Sequence, residues 1–262
     1  MKNSLFIQLI ADYGTGDAAF AEVVQKLTLL DSQIRVMTTS VPPFSTLATG
    51  FLTAQFALVN PVPGMMIYTN TAPRKDKKEN RHDNEGEFLS YALLNNGVKV
   101  VGVNAGYCFS FIKPVIKDLH LVNVQNKGSQ FRSRDFYPEA VISIAQGNAA
   151  FIGKKIEQGK LPDVPLNRIA YIDGYGNMKT TSTNNTATLT PGQKVQVTIN
   201  GIERTAYYSN GTFGVKEGEV AYAPGSSGVD AHFMELFMRG GSAWDYFGKP
   251  HIESQFSIVP VT

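Results

Sequence analysis

The sequence predicts an α/β protein in two parts: an amino-terminal, mostly parallel sheet with helices on both faces, then a smaller carboxyl-terminal, antiparallel, β-barrel-like domain. Three observations predict it. The first half alternates strand-like and helix-like stretches, the second breaks into short β-rich runs separated by Gly, Asn and Pro, and Pro162 and Pro165 bracket a linker between the two. The domains are therefore placed at 1–163 and 164–262, and a chain of 262 residues with 43% hydrophobic content is long enough to give each a core.

The elements follow in order. Residues 5–10 read as a buried strand, and Asp17 caps a helix whose apolar positions Phe20, Val23, Val24, Leu27 and Leu30 recur at helical spacing. A strand is expected at 34–39, with Val41-Pro42-Pro43-Phe44 as the loop leaving it, then a helix over 45–59 stopped by Asn60-Pro61. Runs at 65–69, 98–103 and 119–124 complete the β-rich set, with helical candidates at 87–94 and 137–152. In the second half the short runs are 169–172, 194–199, 203–208, 219–223, 232–238 and 256–261, and Asn200-Gly201 between two of them is a hairpin signal. Residues 74–83, RKDKKENRHD, mix both charge signs without an apolar residue; they read as a solvated loop or as a lid over a nearby site.

Composition narrows the function classes. Charged residues are 18% of the chain and the formal net charge is +2, which leaves no electrostatic footprint for nucleic acid or an anionic membrane surface, and points to a small-molecule partner. Cys108 is the only cysteine, which excludes an intramolecular disulfide and a cysteine-based zinc cage and fits a reducing compartment. The opening residues 1–10 are too short and too interrupted, by Gln8, for a signal peptide, and no run approaches the roughly 18 apolar residues that cross a bilayer. A soluble, cytoplasmic protein is expected. The four histidines are scattered without metal-ligand spacing, so neither a metal nor a bound cofactor is expected. The G-x-S-x-G elbow, the Walker loop and the G-x-G-x-x-G fingerprint are all missing. Asp12-Tyr13-Gly14-Thr15-Gly16-Asp17 is different: it sets two carboxylates and two glycines beyond the first strand, where open α/β sheets bind ligands. Asp17 reads as the helix cap, and Asp12 as the acceptor for a ribose diol.

Several segments, in order, resemble one enzyme family. Leu9-Ile10-Ala11-Asp12-Tyr13-Gly14 with Asp17 resembles the T-D-F-G-x-x-D opening of the S-adenosylmethionine hydroxide adenosyltransferases and their relatives, the fluorinase and the chlorinase. Ser40-Val41-Pro42-Pro43-Phe44 follows, then Val101-Gly102-Val103-Asn104-Ala105-Gly106 where the family has G-P-D-N-G, and Gln130-Phe131-Arg132-Ser133-Arg134-Asp135 where it has T-F-x-[GS]-R-[DE]. Ile172-Asp173-Gly174-Tyr175-Gly176-Asn177 resembles the D-x-F-G-N turn of its second domain, the most specific single match. Gly225-Ser226-Ser227-Gly228 and Met238-Arg239-Gly240-Gly241-Ser242-Ala243 resemble its last two ligand loops.

The resemblance implies an α/β first domain, a β-rich second domain, and a homotrimer with S-adenosylmethionine held between one subunit's first domain and its neighbour's second. It implies that Asp12 holds the ribose hydroxyls, Phe44 packs beside the ligand and Ser133 donates near the reacting carbon. Asp173 and Asn177 would hold the methionine arm, Tyr175 and Phe213 would form aromatic walls, Ser226 and Ser227 would add polar contacts, and backbone around Met238 and Gly240 would read adenine. Each has a plainer reading: Phe44 as core, Asp173 and Asn177 as turn formers, and Ser226 and Ser227 as loop.

The family reaction displaces methionine from the 5′ carbon, and the hydroxide-using branch orients water with an Asp, Arg and His set. Here Asn70 stands where the family has Asp, and an amide positions water but takes no proton from it. Arg132 stands where it has His and is no base. Arg74, Lys75 and Lys77 all neighbour the position of the family Arg. The halide-using branch carries an aromatic residue where Asn70 stands. Three readings stay open: a hydrolase that orients water with Asn70, Ser133 and Arg132 or His82, giving adenosine and methionine; a transferase of chloride or another anion drawn by Arg132; and a protein that binds S-adenosylmethionine or adenosine without turnover.

Overall fold

A computed structural model describes residues 5–73, 86–184, 189–211 and 213–261. The chain divides into two compact units, Met1–Asp163 and Val164–Thr262. The first unit contains strands β1 (Phe6–Ala11), β2 (Arg35–Ser40), β3 (Met65–Asn70), β4 (Leu89–Leu94), β5 (Lys99–Val103), β6 (Ile116–Val122) and β7 (Ile152–Lys155). Its helices are α1 (Ala18–Leu30), α2 (Thr46–Leu58), a single turn α3 (Arg132–Asp135) and α4 (Tyr137–Ala145). All seven strands form one sheet in the order β2-β1-β3-β5-β4-β6-β7.

Alternation along the strands explains the two covered faces. Ile7, Leu9 and Ala11 of β1 and Met66 and Tyr68 of β3 join one cluster with Phe20, Val23 and Leu27 of α1 and Ala140, Val141 and Ile144 of α4. The intervening Ile10 and Ile67 are equally buried, and α2, which packs on β1 and β3 but adds nothing to that cluster, covers the opposite face. Caps fix where the helices start: the Asp17 carboxylate accepts from Ala19 N at 2.8 Å, and Ser45 Oγ accepts from Ala48 N at 3.3 Å. α2 ends at Leu58 with Val59 as its cap, before Asn60, which adopts φ 54°, and Pro61.

The sheet is mixed rather than mostly parallel. β2, β1, β3 and β5 pair in parallel, whereas β5–β4, β4–β6 and β6–β7 are antiparallel. The cause is the stretch expected as a helix over 87–94, which is strand β4. Its residues are buried at all but one position, so it has no period with which to declare itself, and short apolar runs of this kind suit a central strand as well as a helix. With no helix to make a crossover, Asn95-Asn96-Gly97 turns the chain straight back into β5. The helix expected over 137–152 stops at Ala145, where Gly147 takes a left-handed φ of 86° and donates to Ile144 O; the rest of that stretch leads into β7.

The second unit contains β8 (Ile169–Ile172), β9 (Met178–Thr183), β10 (Lys194–Ile199), β11 (Ile202–Tyr208), β12 (Val220–Pro224), β13 (Phe233–Met238), α5 (Ala243–Tyr246) and β14 (Phe256–Pro260). The strand order is β14-β10-β11-β12-β13-β9-β8, antiparallel throughout except between β11 and β12. Arg168 and Gln255, beside the two outermost strands, form an antiparallel bridge, so the sheet curls toward closure around Ile169, Val197, Leu236 and Phe256. β9 escapes sequence reading because MKTTST is mostly polar; Thr180 is nonetheless fully buried, its hydroxyl donating to Met234 O at 2.8 Å.

Asn200 and Gly201, both at positive φ of 49° and 80°, form a two-residue turn with Ile199 opposite Ile202. Replacing Gly201 by Val puts a β-branched side chain into that left-handed position, and chemical denaturation is expected to show a loss of about 1–2 kcal/mol. An unchanged unfolding midpoint would mean that the turn does not set the β10–β11 register.

Candidate functional site

The parallel register decides where the site lies. Ala11 pairs with Ser40 of β2 on one side and with Asn70 of β3 on the other, so three strands end at the same level. Beyond them lies a cleft of ≈ 770 Å³, entirely within the first unit. It is lined by Asp12, Tyr13, Gly14 and Asp17 after β1, Pro43 and Phe44 after β2, Asn70 and Ala72 at the end of β3, Glu87 before β4, and the segment from Ser129 to Ser133 with Tyr137.

Tyr13 is the hub of the cleft. Asn70 Nδ2 donates to its hydroxyl at 3.0 Å, and that hydroxyl shares a 2.5 Å hydrogen bond with Ser133 Oγ. Its ring packs edge-on against Phe20 and Phe131, with centroids at 5.0 and 5.9 Å, and its carbonyl accepts from Ser40 Oγ. Burial raises the Tyr13 phenol far above its usual range, because a phenolate would lose its hydration; the hydrogen bond shared with Ser133 opposes this but is the smaller effect. Asn70, Tyr13 and Ser133 therefore form a neutral chain of hydrogen-bonding groups at neutral pH. Tyr68, fully buried in β3, donates to Ser133 O at 2.9 Å and fixes the turn from below.

Asp12 sits at the mouth of this chain. Its Oδ2 accepts from the backbone N–H of Phe44 at 3.0 Å, which ties the β1 and β2 loops together. Phe44 holds a φ of 65°, a left-handed backbone that disfavours a side chain by roughly 1–2 kcal/mol. With 46% of its surface exposed, it lines the cleft and is not part of the core.

Arg132 also borders the cleft, but its guanidinium serves the wall. It donates to Asn126 Oδ1 and to Glu87 O, and lies over the Tyr137 ring at 5.8 Å. Arg134 pairs with Asp135 at 2.7 Å and with Glu22; its bond to Asp135, with one from Ser129, holds the Asp135 carboxyl below the usual range. Tyr137 is 1% exposed; burial pushes its phenol up to about 12, and its hydroxyl has no hydrogen-bond partner among the described residues. Cys108 is buried behind the cleft, its thiol pushed up to about 12 by burial, so it stays protonated.

The residues expected from the second half of the sequence all fall in the second unit. The Asp173 carboxylate accepts from the backbone N–H groups of Tyr175 and Asn177 and from Asn177 Nδ2, each at 3.0 Å, so the two residues brace one turn. Asn177 Oδ1 is buried without a partner among the described residues. Lys179 links this turn, at 3.9 Å from Asp173, to Glu235 at 2.5 Å, whose side chain closes over Gly225. In the loop that follows, Ser226 is exposed and Ser227 buried. Tyr175 and Phe213 present rings that are 82% and 76% exposed, Phe213 packing on Phe237. Met238 ends β13, and Gly240 turns beyond it at φ 78° against Glu217. Arg74, Lys75, Lys77, His82 and the whole stretch 74–83, read as a solvated loop or a lid, lie outside the described residues.

Sequence reasoning named Asn70, Ser133 and Asp12 but passed over Tyr13, Glu87 and Tyr137. For Tyr13 a signal existed: where the resemblance has Phe, this chain has a hydroxyl, and a buried phenol needs a hydrogen-bonding partner. Among the described residues no cluster of His, Cys, Asp and Glu could hold a metal ion, and no helix is long and apolar enough to cross a membrane.

Fold and site together define a two-unit α/β protein with a polar cleft at the ends of parallel strands. No protein-family model and no curated protein sequence matches the chain. Among solved structures it is similar to an uncharacterized conserved protein from Thermotoga maritima, with a TM-score of 0.77 and 15% identity over 97% of this chain and 100% of that one. It is also similar to a conserved hypothetical protein from Thermus thermophilus, with a TM-score of 0.67 and 19% identity over 97% of this chain and 99% of that one. At these identities the likeness establishes the fold.

Removing the Tyr13 hydroxyl leaves Asn70 Nδ2 and Ser133 Oγ without their shared partner. Tyr13→Phe is expected to lower stability by about 1–3 kcal/mol in urea denaturation. A change within error would show that water replaces the phenol at no cost and that the chain of hydrogen bonds is not a fixed feature.

Proposed function

We propose that this chain binds S-adenosylmethionine and hydrolyses it at the 5′ carbon, giving adenosine and methionine. The observation that carries the reading is the joining of Asp12 and the Asn70–Tyr13–Ser133 chain in one cleft. In this reading Asp12 accepts from a ribose diol, and the neutral chain beyond it holds a water molecule by hydrogen bonds. The chemistry asks for little else. Methionine leaves a sulfonium as a neutral thioether, so no acid has to protonate it. As the water oxygen bonds to the 5′ carbon, the carbon–sulfur pair passes to sulfur, and the protonated hydroxyl so formed releases its proton to solvent. The protein's part is to hold the nucleophile in line behind the carbon and shield it from bulk water. Assembly into a homotrimer, soluble and cytoplasmic, belongs to the same proposal.

Binding without turnover is the second reading. What favours it is that Asn70, Ser133 and the high-pKa Tyr13 are all neutral near pH 7 and none of them is a base. Halide transfer has less support, because the Arg132 guanidinium that would draw an anion is already bonded to Asn126 and Glu87 O.

Incubation with S-adenosylmethionine, with and without chloride, followed by chromatography, is expected to yield adenosine in both and a 5′-chloro nucleoside in neither. Asp12→Ala should weaken adenosine binding about tenfold or more, since an unpaired buried hydroxyl costs about 1–3 kcal/mol. Asn70→Ala should cut turnover with affinity largely retained. Unchanged ligand with measurable affinity would leave binding alone, and no affinity at all would end the proposal.

A further inference from the structure

The three side chains joined at Tyr13 have a direction as well as a geometry. A phenol has one hydrogen to give, and the Tyr13 oxygen already accepts from Asn70 Nδ2 at 3.0 Å. If Ser133 also donated to it, the phenol hydrogen would be left buried without an acceptor, so in the 2.5 Å bond Tyr13 donates and Ser133 Oγ accepts. Ser133 then keeps its own hydroxyl hydrogen for another partner. At the other end, an amide whose nitrogen is turned to Tyr13 has its carbonyl oxygen left for a ligand. Among the described residues none donates to Asn70 Oδ1, which is not sealed from solvent, and Asn70 lines the cleft.

We propose that Tyr13 selects the nucleophile of this cleft: by holding Asn70 through its nitrogen it presents the amide carbonyl, which admits a nucleophile that carries an O–H and turns away a halide ion. The inference rests on the hydrolytic reading above. Water fits both ends of the chain, donating to Asn70 Oδ1 and accepting from Ser133 Oγ, with its second lone pair left for the 5′ carbon. In the step, that pair forms the carbon–oxygen bond, the carbon–sulfur pair passes to sulfur, and the protonated hydroxyl releases its proton to solvent. A chloride ion has no hydrogen to give and would lie against the negative end of the carbonyl dipole.

Tyr13 is a positioning residue, and the structure holds it firmly enough for that role. Its ring is wedged edge-on between Phe20 and Phe131, and its backbone carbonyl accepts from Ser40 Oγ. Ser133 is fixed in turn through its own carbonyl, which accepts from Tyr68 at 2.9 Å. The exchange of residues against the resemblance fits the same account. A carboxylate has two like oxygens and needs no group to choose between them, whereas an amide has unlike ends and does. Where Asn70 replaces Asp, Tyr13 replaces Phe and supplies the hydroxyl that chooses.

The test uses the full chain and S-adenosylmethionine, with and without chloride. Tyr13→Phe frees the Asn70 amide, so adenosine formation should fall about tenfold or more with KM within about threefold, and in chloride a 5′-chloro nucleoside should appear that the wild-type chain does not form. Ser133→Ala leaves Asn70 held by Tyr13 and should be slower while still forming adenosine alone. A merely structural role for Tyr13 would slow the reaction without changing its product. If both variants or neither form the chloro nucleoside, the assignment falls. Should Tyr13→Phe fail to fold, the wild-type chain carries the test by ¹⁵N NMR: chloride added to the adenosine complex should leave the Asn70 side-chain amide unmoved, and a saturable shift overturns the proposal. A wild-type chain that forms no adenosine ends the hydrolytic reading by itself, an outcome seen without any variant and separate from the amide's response to chloride.

Discussion

The site depends on the register of three parallel strands. Ala11 lies level with Ser40 and with Asn70, and everything that lines the cleft from the first half of the unit leaves the sheet at or just beyond that level. A slip of one residue would send Ile7, Leu9 and Ala11 to the face covered by α2 and bring Gln8 and Ile10 against α1 and α4. Because both faces are packed with apolar side chains, such a slip is costly, and the positions of Asp12 and Asn70 follow from burial in the core and not from any contact within the cleft.

On that base the cleft is assembled from groups that keep one another neutral and fixed. Tyr13 joins Asn70 to Ser133, Tyr68 holds Ser133 from within the sheet, and Asp12 draws the Phe44 backbone into a left-handed conformation at the rim. A buried phenol is a poor acid and a good spacer: its oxygen accepts from the Asn70 amide, and one short bond ties it to the Ser133 hydroxyl. Among the described residues Arg134 is paired to Asp135 and Glu22, and Arg132 is bonded into the wall.

Much of the fold was legible where a single physical signal dominated. Asp17 marked a helix start because its side chain satisfies an orphan backbone N–H group, and Asn200-Gly201 marked a hairpin because that turn demands positive φ twice. Leu89–Leu94 misled because a strand buried on both faces carries no alternation, and with that strand misread the sheet looked more parallel than it is. β9 was silent because its buried threonines are satisfied by hydrogen bonds, which hydropathy does not register. In the site, strand-end logic found Asp12 and the family resemblance supplied Asn70 and Ser133, whereas Tyr13 and Glu87 depend on contacts between segments far apart in sequence. No spacing within the chain encodes the meeting of residue 13 with residue 133, or of residue 87 with residue 132.

The central claim is that the end of β1, the end of β3 and the turn carrying Ser133 enclose one adenosyl ligand. Its most direct measurement is a ¹⁵N NMR titration with adenosine, following the backbone amide of Phe44, bonded to Asp12, and the side-chain amide of Asn70, bonded to Tyr13. The account predicts that both resonances shift together along one saturable curve. Adenosine binding that leaves both unmoved would contradict it.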